Sequence, residues 1–404
     1  MTTVGDAPVS TPRVAVPNAS ASPIRVIVGG DLLPHRPSLV GPPAIADALA
    51  PLASTFAAAD AVIANYEAAT GELDPNAKRL VYAASATWIE QLAKSGLHAI
   101  SVANNHACDL GDSGLDATVA AADRSGLLAL GGGSDPWEPR VVAEKNGKKI
   151  CAVAWTTIVN SEGPCAKSTH LAVAPLGKNG KALVDRAMAR ARAQCDATIA
   201  IMHGGDEYRA QTGAVLDLAA HAAEAGADAV IIHHPHVASP VIVHRTRDGR
   251  DIPLFASVGN LVSNQGESWK PPMFPVLREN RRLVCVNAWT RLGVLADLSF
   301  RFDGTTPSLE WGEHLVWIEN EHADNRAASI PKIEARILDP SADQNILDAL
   351  SEDRRGPVAL FHDPCWLERG PSSDDRCRTT LVHGPALPAS IVASLAKRHG
   401  KRAH

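Results

Sequence analysis

Short apolar runs rich in β-branched residues alternate along this chain with longer segments of helical spacing, beginning at residue 24. IRVIVGGD (24–31) is strand-like, and IADALAPLASTF (45–56) repeats its apolar residues as an amphipathic helix does. ADAVIANYE (59–67) predicts a second strand, ATWIEQLAKSGLH (86–98) a helix closing at Gly96, LHAISVANN (97–105) a strand and GLDATVAAADRSG (114–126) a helix. CAVAWTTI (151–158), ATIAIMHGG (197–205), DAVIIHHPH (228–236) and IPLFASVGN (252–260) read as further strands. KALVDRAMARARAQ (181–194) and AVLDLAAHAAEAG (214–226) read as helices, the second stopped by Gly226. Strands and helices alternating at this length predict βαβ units around a largely buried sheet, an α/β fold.

Past residue 283 the pattern changes. RLVCVNAWTRLGVLADLSFRFDG and SLEWGEHLVWIE have the alternation of antiparallel strands belonging to the same fold, and from about residue 323 the chain reads as helix and loop. Residues 1–23, rich in Ala, Ser, Thr, Pro and Val without periodicity, read as a mobile tail. The expected organisation is thus a flexible tail (1–23), one domain (24–322) and a C-terminal helix and loop extension (323–404).

Composition narrows the function classes. With 45% hydrophobic and 21% charged residues in 404, a sizeable core is expected rather than disorder. Net charge is −5 from 39 basic and 44 acidic residues, well mixed, which argues against a broad nucleic-acid surface. Seven cysteines, at 108, 151, 165, 195, 285, 365 and 377, lack CxxC spacing and predict free thiols in a reducing compartment. The N-terminus shows no secretory pattern and no stretch reaches the ~18 apolar residues of a membrane span, so a cytoplasmic enzyme or binding protein is expected.

The chemistry gathers where the strands end. IRVIVGG runs into Asp31, AVIA into Asn65 and Glu67, AISVA into Asn104, Asn105 and His106, TIAIM into His203, AVII into His233, His234 and His236, and LFASV into Gly259 and Asn260. In open α/β sheets ligands bind outside the carboxyl ends of the strands, so these groups predict one shared site. Imidazole suits Zn or Fe, and carboxylate or amide oxygen suits Mn. Asp31, Glu67, Asn105, His203, His234 and His236 therefore form a candidate set for one or two divalent ions (Mn, Fe or Zn), with Glu67 placed to bridge two. His234 and His236 would converge as i, i+2 neighbours of an extended segment, biased that way by Pro235; a polar strand exit with solvated histidines is the alternative. His106 would meet the substrate as acid or charge stabiliser. Asn104, which also suits a turn or helix cap, and Asp109 would orient it, and Asn260 would stand behind the ligands.

These residues, in this order, resemble the CapA family of poly-γ-glutamate capsule synthesis proteins, within the calcineurin-like metallophosphoesterase superfamily. The matching pieces are GD (30–31), NYE (65–67), ANNHACDLG (103–111), GGG (131–133), HGGDEY (203–208), GADAVIIHHPH (226–236) and SVGN (257–260). The resemblance implies a two-sheet α/β sandwich with flanking helices and a two-metal centre at the strand ends. Asp31 and His236 would serve one metal and Asn105, His203 and His234 the other, with Glu67 between them and His106 as acid. It also implies a metal-dependent hydrolase, in which a metal-activated water attacks a phosphoester or a γ-glutamyl-type amide of a small-molecule or peptide substrate. A biosynthetic transferase or ligase-like enzyme on the same centre, and a non-catalytic poly-γ-glutamate assembly protein, are the competing readings; no GxxxxGK[ST] supports a nucleotide site. Two positions depart from the pattern: Leu33 stands where many of the superfamily have His, with His35 as a possible substitute or a surface loop residue, and Gly204 stands where the family often has Trp, which would widen the pocket.

Four residues near the strand ends are candidate substrate contacts: Glu207 and Tyr208 just past His203, and Trp269 and Lys270 in a proline-rich loop that also carries Arg278, Arg281 and Arg282. His362, Cys365, Cys377 and His383 invite a zinc reading, but their spacing fits no standard finger.

Overall fold

A computed structural model of the chain describes residues 22–35, 39, 41–72, 81–160, 168–209, 213–271, 281–303, 307–321, 332–339, 341–352 and 379–383. The N-terminal tail up to residue 21, Arg278, His362, Cys365, Cys377 and the basic C-terminal tail lie outside these residues, as do the side chains of Arg281, Arg282 and His383. The strands of the first half are β1 (Ile24–Leu32), β2 (Ala61–Tyr66), β3 (Ala69–Thr70), β4 (Ala83–Ala84), β5 (Ala99–Ser101), β6 (Leu128–Leu130), β7 (Arg140–Lys145) and β8 (Lys148–Thr156). Those of the second half are β9 (Ala197–His203), β10 (Ala229–His233), β11 (Val241–Arg245), β12 (Asp251–Phe255), β13 (Asn260–Val262), β14 (Leu292–Arg301), β15 (Ser308–Asn320), β16 (Ile333–Ile337) and β17 (Thr379–His383). The helices are α1 (Pro42–Leu49), α2 (Ala53–Ala57), α3 (Ala86–Lys94), α4 (Gly111–Arg124), α5 (Lys178–Gln194), α6 (Ala214–Ala225) and α7 (Gln344–Glu352).

Two mixed sheets result. The first runs β16-β15-β14-β1-β2-β5-β6, with β13 added beside the end of β1; the second runs β17-β11-β12-β10-β9-β8-β7. In the first sheet β1, β2, β5 and β6 are parallel out to one edge and β14, β15 and β16 are antiparallel on the other side. In the second, β8, β9, β10 and β12 are parallel at the centre and the pairs at both edges are antiparallel. Period-two alternation in the second sheet decides the layers. Ile150, Ala152, Ala154, Ile199, Ile201 and Ile231 point to the core shared with the first sheet. Their neighbours Val153, Trp155, Ala200, Met202, Val230 and Ile232 pack on the opposite face under α5 and α6. The chain is a two-sheet α/β sandwich with flanking helices.

Several expectations shift for local reasons. The helix expected over 45–56 is two helices, because Pro51 sits in a 3₁₀ turn (Ala50–Leu52) that interrupts the hydrogen-bond ladder. The strand expected from residue 151 begins at 148 and has a hairpin partner, β7, joined through Asn146 and Gly147 at φ 55° and 72°. That pair is the Asn-Gly turn whose twist matches the flanking strands. Beyond residue 323, where helix and loop are expected, β16 pairs with β15 and β17 with β11, so both sheets draw strands from the C-terminal region. No described helix is long and apolar enough to cross a membrane.

The cysteines also depart from expectation. Cys151, on β8, and Cys195, at the end of α5, are joined by a disulfide across 44 residues. Cys108 is disulfide-bonded as well, and Cys285 is a free thiol among the described residues. Scattered spacing without CxxC carries no information on pairs brought together by a βαβ crossover, and so the free-thiol reading fails here. Replacing Cys195 with serine is expected to lower unfolding stability by about 2–4 kcal/mol, since a closed loop of this length removes that much unfolded-state entropy. Denaturant unfolding of the oxidised protein checks it; an unchanged midpoint with unchanged slope would show that the bridge adds no stability.

Candidate metal centre

The parallel strands of both sheets deliver their carboxyl ends to one place. Asp31 of β1 lies in register with Asn65 of β2, and His203 of β9 with His233 of β10. His203 continues the inward face set by Ile199 and Ile201, so it points between the sheets rather than toward the helices. His233 also points inward, and its Nε2 meets the Gly29 carbonyl at 2.9 Å, tying the second sheet to the first. Close approach of β13 makes the GGD stretch necessary. The Asp31 amide donates to the Gly259 carbonyl at 3.0 Å, and a Cβ on Gly30 would lie 2.1 Å from that same oxygen.

The buried donors form two overlapping groups. Glu67, His234 and His236 place ligand atoms within 4.8 Å of one another, and so do Asp31, Glu67 and His203. Glu67 belongs to both groups: its Oε1 is 3.8 Å from His203 Nε2 and 3.8 Å from His236 Nε2. Asn105 Oδ1 lies 2.8 Å from His203 Nε2, joining the same cluster. Around them runs a shell of amides. Asn65 Nδ2 donates to Asp31 Oδ1 at 2.8 Å and sits 3.2 Å from His203 Nδ1. Asn260 Oδ1 lies 3.0 Å from His236 Nδ1, and Asn104 donates to the Tyr66 carbonyl at 2.8 Å.

Electrostatics decide what this cluster suits. Both Glu67 oxygens are buried with no hydrogen-bond partner. Burial, reinforced by the Asp31 charge, pushes the Glu67 carboxyl well above its usual range. Burial and the neighbouring His234 push His203 well below its ordinary value. His236 moves the other way: burial opposes its charge, but the Glu67 and Asp31 carboxylates raise it to about 9. Leaving a carboxylate unpaired in the interior costs several kcal/mol per ion. Neutral imidazoles, carboxylates and an amide oxygen around one such carboxylate are a donor set for a divalent cation, which would satisfy Glu67 where no protein donor does. The residues present fit one or two such ions.

His234 and His236 do not converge by strand alternation. β10 ends at His233, and His234 and His236 have φ of 100° and 58° on either side of Pro235, with the Pro235 carbonyl accepting from the Tyr208 amide at 2.8 Å. Positive φ in two non-glycine residues is strained backbone, and such strain persists where surrounding structure over-determines it. The turn brings the two rings to a centroid distance of 5.8 Å. Leu33 is buried in the core, and His35 points away from the cluster: its Nδ1 accepts the Asn264 amide at 3.0 Å and its Nε2 meets the Tyr82 hydroxyl at 3.0 Å.

Beside the cluster opens a cavity of ≈ 330 Å³ whose lining includes His106, His236, Tyr82, Glu207, Tyr208 and Gln265. His106 Nδ1 is held by Asp109 Oδ2 at 2.7 Å, and the same oxygen accepts the Tyr82 amide at 2.7 Å. Glu207 and Tyr208 thus reach the cavity the cluster faces. Trp269 and Lys270 do not: they line a separate cavity of ≈ 310 Å³ with Arg291, Trp317 and Arg336. Trp269 is fully buried, edge-on to Trp317, with the Arg291 guanidinium over both rings. Nor does Gly204 widen the site, because a Cβ there would run into Thr157 Oγ1 at 1.9 Å.

Asn65, one of the strand-end groups, shares the face of Glu67 by period two in NYE. One contributor escapes sequence reasoning. Tyr82 directly precedes the short strand β4, 24 residues before His106 in the chain, and only the fold carries it to His106.

Residues 25–265 match the family profile of the bacterial capsule synthesis protein PGA_cap. The chain belongs to that family. A PGA biosynthesis protein CapA of Bacillus subtilis (strain 168) is 29% identical over 171 residues, covering 41% of this chain and 43% of the relative. A capsule biosynthesis protein CapA of Bacillus anthracis is 26% identical over 198 residues, covering 47% and 46%. The matches therefore span under half the length of either relative. Membership is consistent with the metallophosphoesterase superfamily and with a capsule-associated role.

Proposed function

We propose that this protein is a metal-dependent hydrolase whose centre is held by Asp31, Glu67, Asn105, His203, His234 and His236. The observation that carries this reading is Glu67, a fully buried carboxylate with two unpartnered oxygens, common to both donor groups. A divalent ion bound there supplies Lewis acidity toward a phosphoryl or carbonyl oxygen and acidifies water at neutral pH. The protein's own residues do the rest. Asn65 and Asn260 hold Asp31 and His236 in their orientations. Asp109 fixes the His106 ring through Nδ1, which leaves Nε2 for the cavity, where it would give a proton to the leaving group. Glu207 and Tyr208 would contact the substrate from the cavity wall.

The names of the relatives concern biosynthesis, which favours, as a second reading, transfer to an acceptor other than water on the same centre. The Cys151–Cys195 bridge supports an oxidising compartment in place of the cytoplasmic one expected from cysteine spacing. A panel of phosphoesters and γ-glutamyl peptides, assayed with Mn, Fe and Zn, tests the proposal. At least one equivalent of metal should survive desalting, and turnover should vanish on chelation and return with metal. Absence of both retained metal and turnover would overturn the hydrolase reading; turnover only with an added amine or alcohol acceptor would select transfer.

A further inference from the structure

The cavity beside the metal centre contains a second polar device. His35 Nδ1 takes a hydrogen bond from the Asn264 main-chain amide at 3.0 Å. A main-chain N–H can only donate, so the proton of the neutral ring sits on Nε2. That nitrogen lies 3.0 Å from the Tyr82 hydroxyl and donates to it. Burial keeps His35 neutral, lowering its pKa to about 3. The polarity of the pair is therefore fixed: Tyr82 accepts from His35, and toward any other group its hydroxyl acts as a donor. An O–H that already accepts a hydrogen bond is a better donor, because hydrogen-bonded chains polarise one another.

Tyr82 is also fixed relative to His106. Its ring centroid lies 4.4 Å from that of His106, both residues line the same cavity, and Asp109 Oδ2 holds the Tyr82 amide and the His106 ring with one oxygen. Four side chains, His35, Tyr82, Asp109 and His106, thus form one array that sets a phenol and an imidazole side by side. We infer that Tyr82 is a substrate-facing hydrogen-bond donor that stabilises a phosphoryl or carbonyl oxygen beside His106, with His35 as its positioning residue. This inference rests on the hydrolytic reading. No bond is made or broken at Tyr82; its proton stays on the phenol while the substrate oxygen gains charge.

The test uses the metal-loaded full chain and the substrate that wild type turns over fastest in the panel above. Tyr82→Phe keeps the ring beside His106 and removes the donor. It should lower kcat by about 10–10³-fold, as loss of one oxyanion donor does, with KM and bound metal little changed. His35→Leu should lower kcat in the same direction, His35→Gln, which can still donate to Tyr82, should recover part of the loss, and the Tyr82→Phe, His35→Leu double variant should be no worse than Tyr82→Phe alone. A Tyr82→Phe kcat within about twofold of wild type, or additive losses in the double variant, would overturn the inference. If wild type turns nothing over, the hydrolytic reading falls by itself and calorimetric titration with inorganic phosphate decides the role of Tyr82: weaker phosphate binding by Tyr82→Phe supports the donor, equal binding overturns it.

Discussion

Replacing Glu67 with glutamine is expected to reverse the protein's response to metal. The amide is nearly isosteric but uncharged, so it cannot serve both donor groups as the carboxylate does. Metal affinity should fall by at least about 100-fold, the upper range for disturbing even an outer partner of a metal site, and turnover should fall with it. Stability should move the other way when metal is absent. No protein donor reaches either oxygen of the buried Glu67, and burial with the nearby Asp31 charge pushes its carboxyl well above the usual range. A carboxyl raised in the fold contributes its full stability below the ordinary carboxylate pKa and loses it as pH rises through the folded value. Metal-free wild type should therefore weaken toward alkaline pH, whereas the Glu67→Gln variant should lack that component and melt higher in EDTA, by an amount on the order of 1–3 kcal/mol. Thermal melts of both proteins at pH 6 and pH 8, with EDTA and with Mn, read all of this. A variant that retains metal and melts lower in EDTA would show that the carboxylate is a structural group and not a ligand.

His106→Asn should produce the opposite dissociation of effects. The asparagine can still donate to Asp109, so the local hydrogen bond that wild type makes at 2.7 Å has a replacement. Bound metal and melting temperature should stay close to wild type, while kcat falls by about 10²–10⁴-fold, the range for removing a positioned acid. Asp109→Asn should cost less, about 10–100-fold, since it acts by orienting the ring. Steady-state kinetics beside metal analysis separates the cases. Loss of metal in His106→Asn would place this histidine among the ligands instead.

Much of the site was legible because its chemistry is local. A strand must end somewhere, and a polar residue at the end of a buried run is conspicuous; Asp31, Glu67, Asn105, His203, His234 and His236 all announce themselves this way, and the structure gathers them into one buried cluster. Trp269 and Lys270 show where the same logic stops. Their loop follows a strand end, yet packing of Trp269 against Trp317 and Arg291 turns the indole into a different cavity. The disulfide shows it again, since Cys151 and Cys195 meet only after a βαβ crossover has folded back.

The alternation of apolar and polar positions by itself determined that this chain forms parallel strands joined by helices, that their carboxyl ends carry nitrogen and oxygen donors, and that those donors suit a divalent ion. Which donors meet was decided by tertiary structure. The register of two sheets against each other sets the distances, and β13 lying against Gly30 sets the path of Asp31. Packing around Pro235 imposes the positive φ angles that turn His234 and His236 together. Those are long-range constraints on backbone and register, and a residue's neighbours in sequence do not encode them; Tyr82, brought to His106 from just before β4, depends on them wholly.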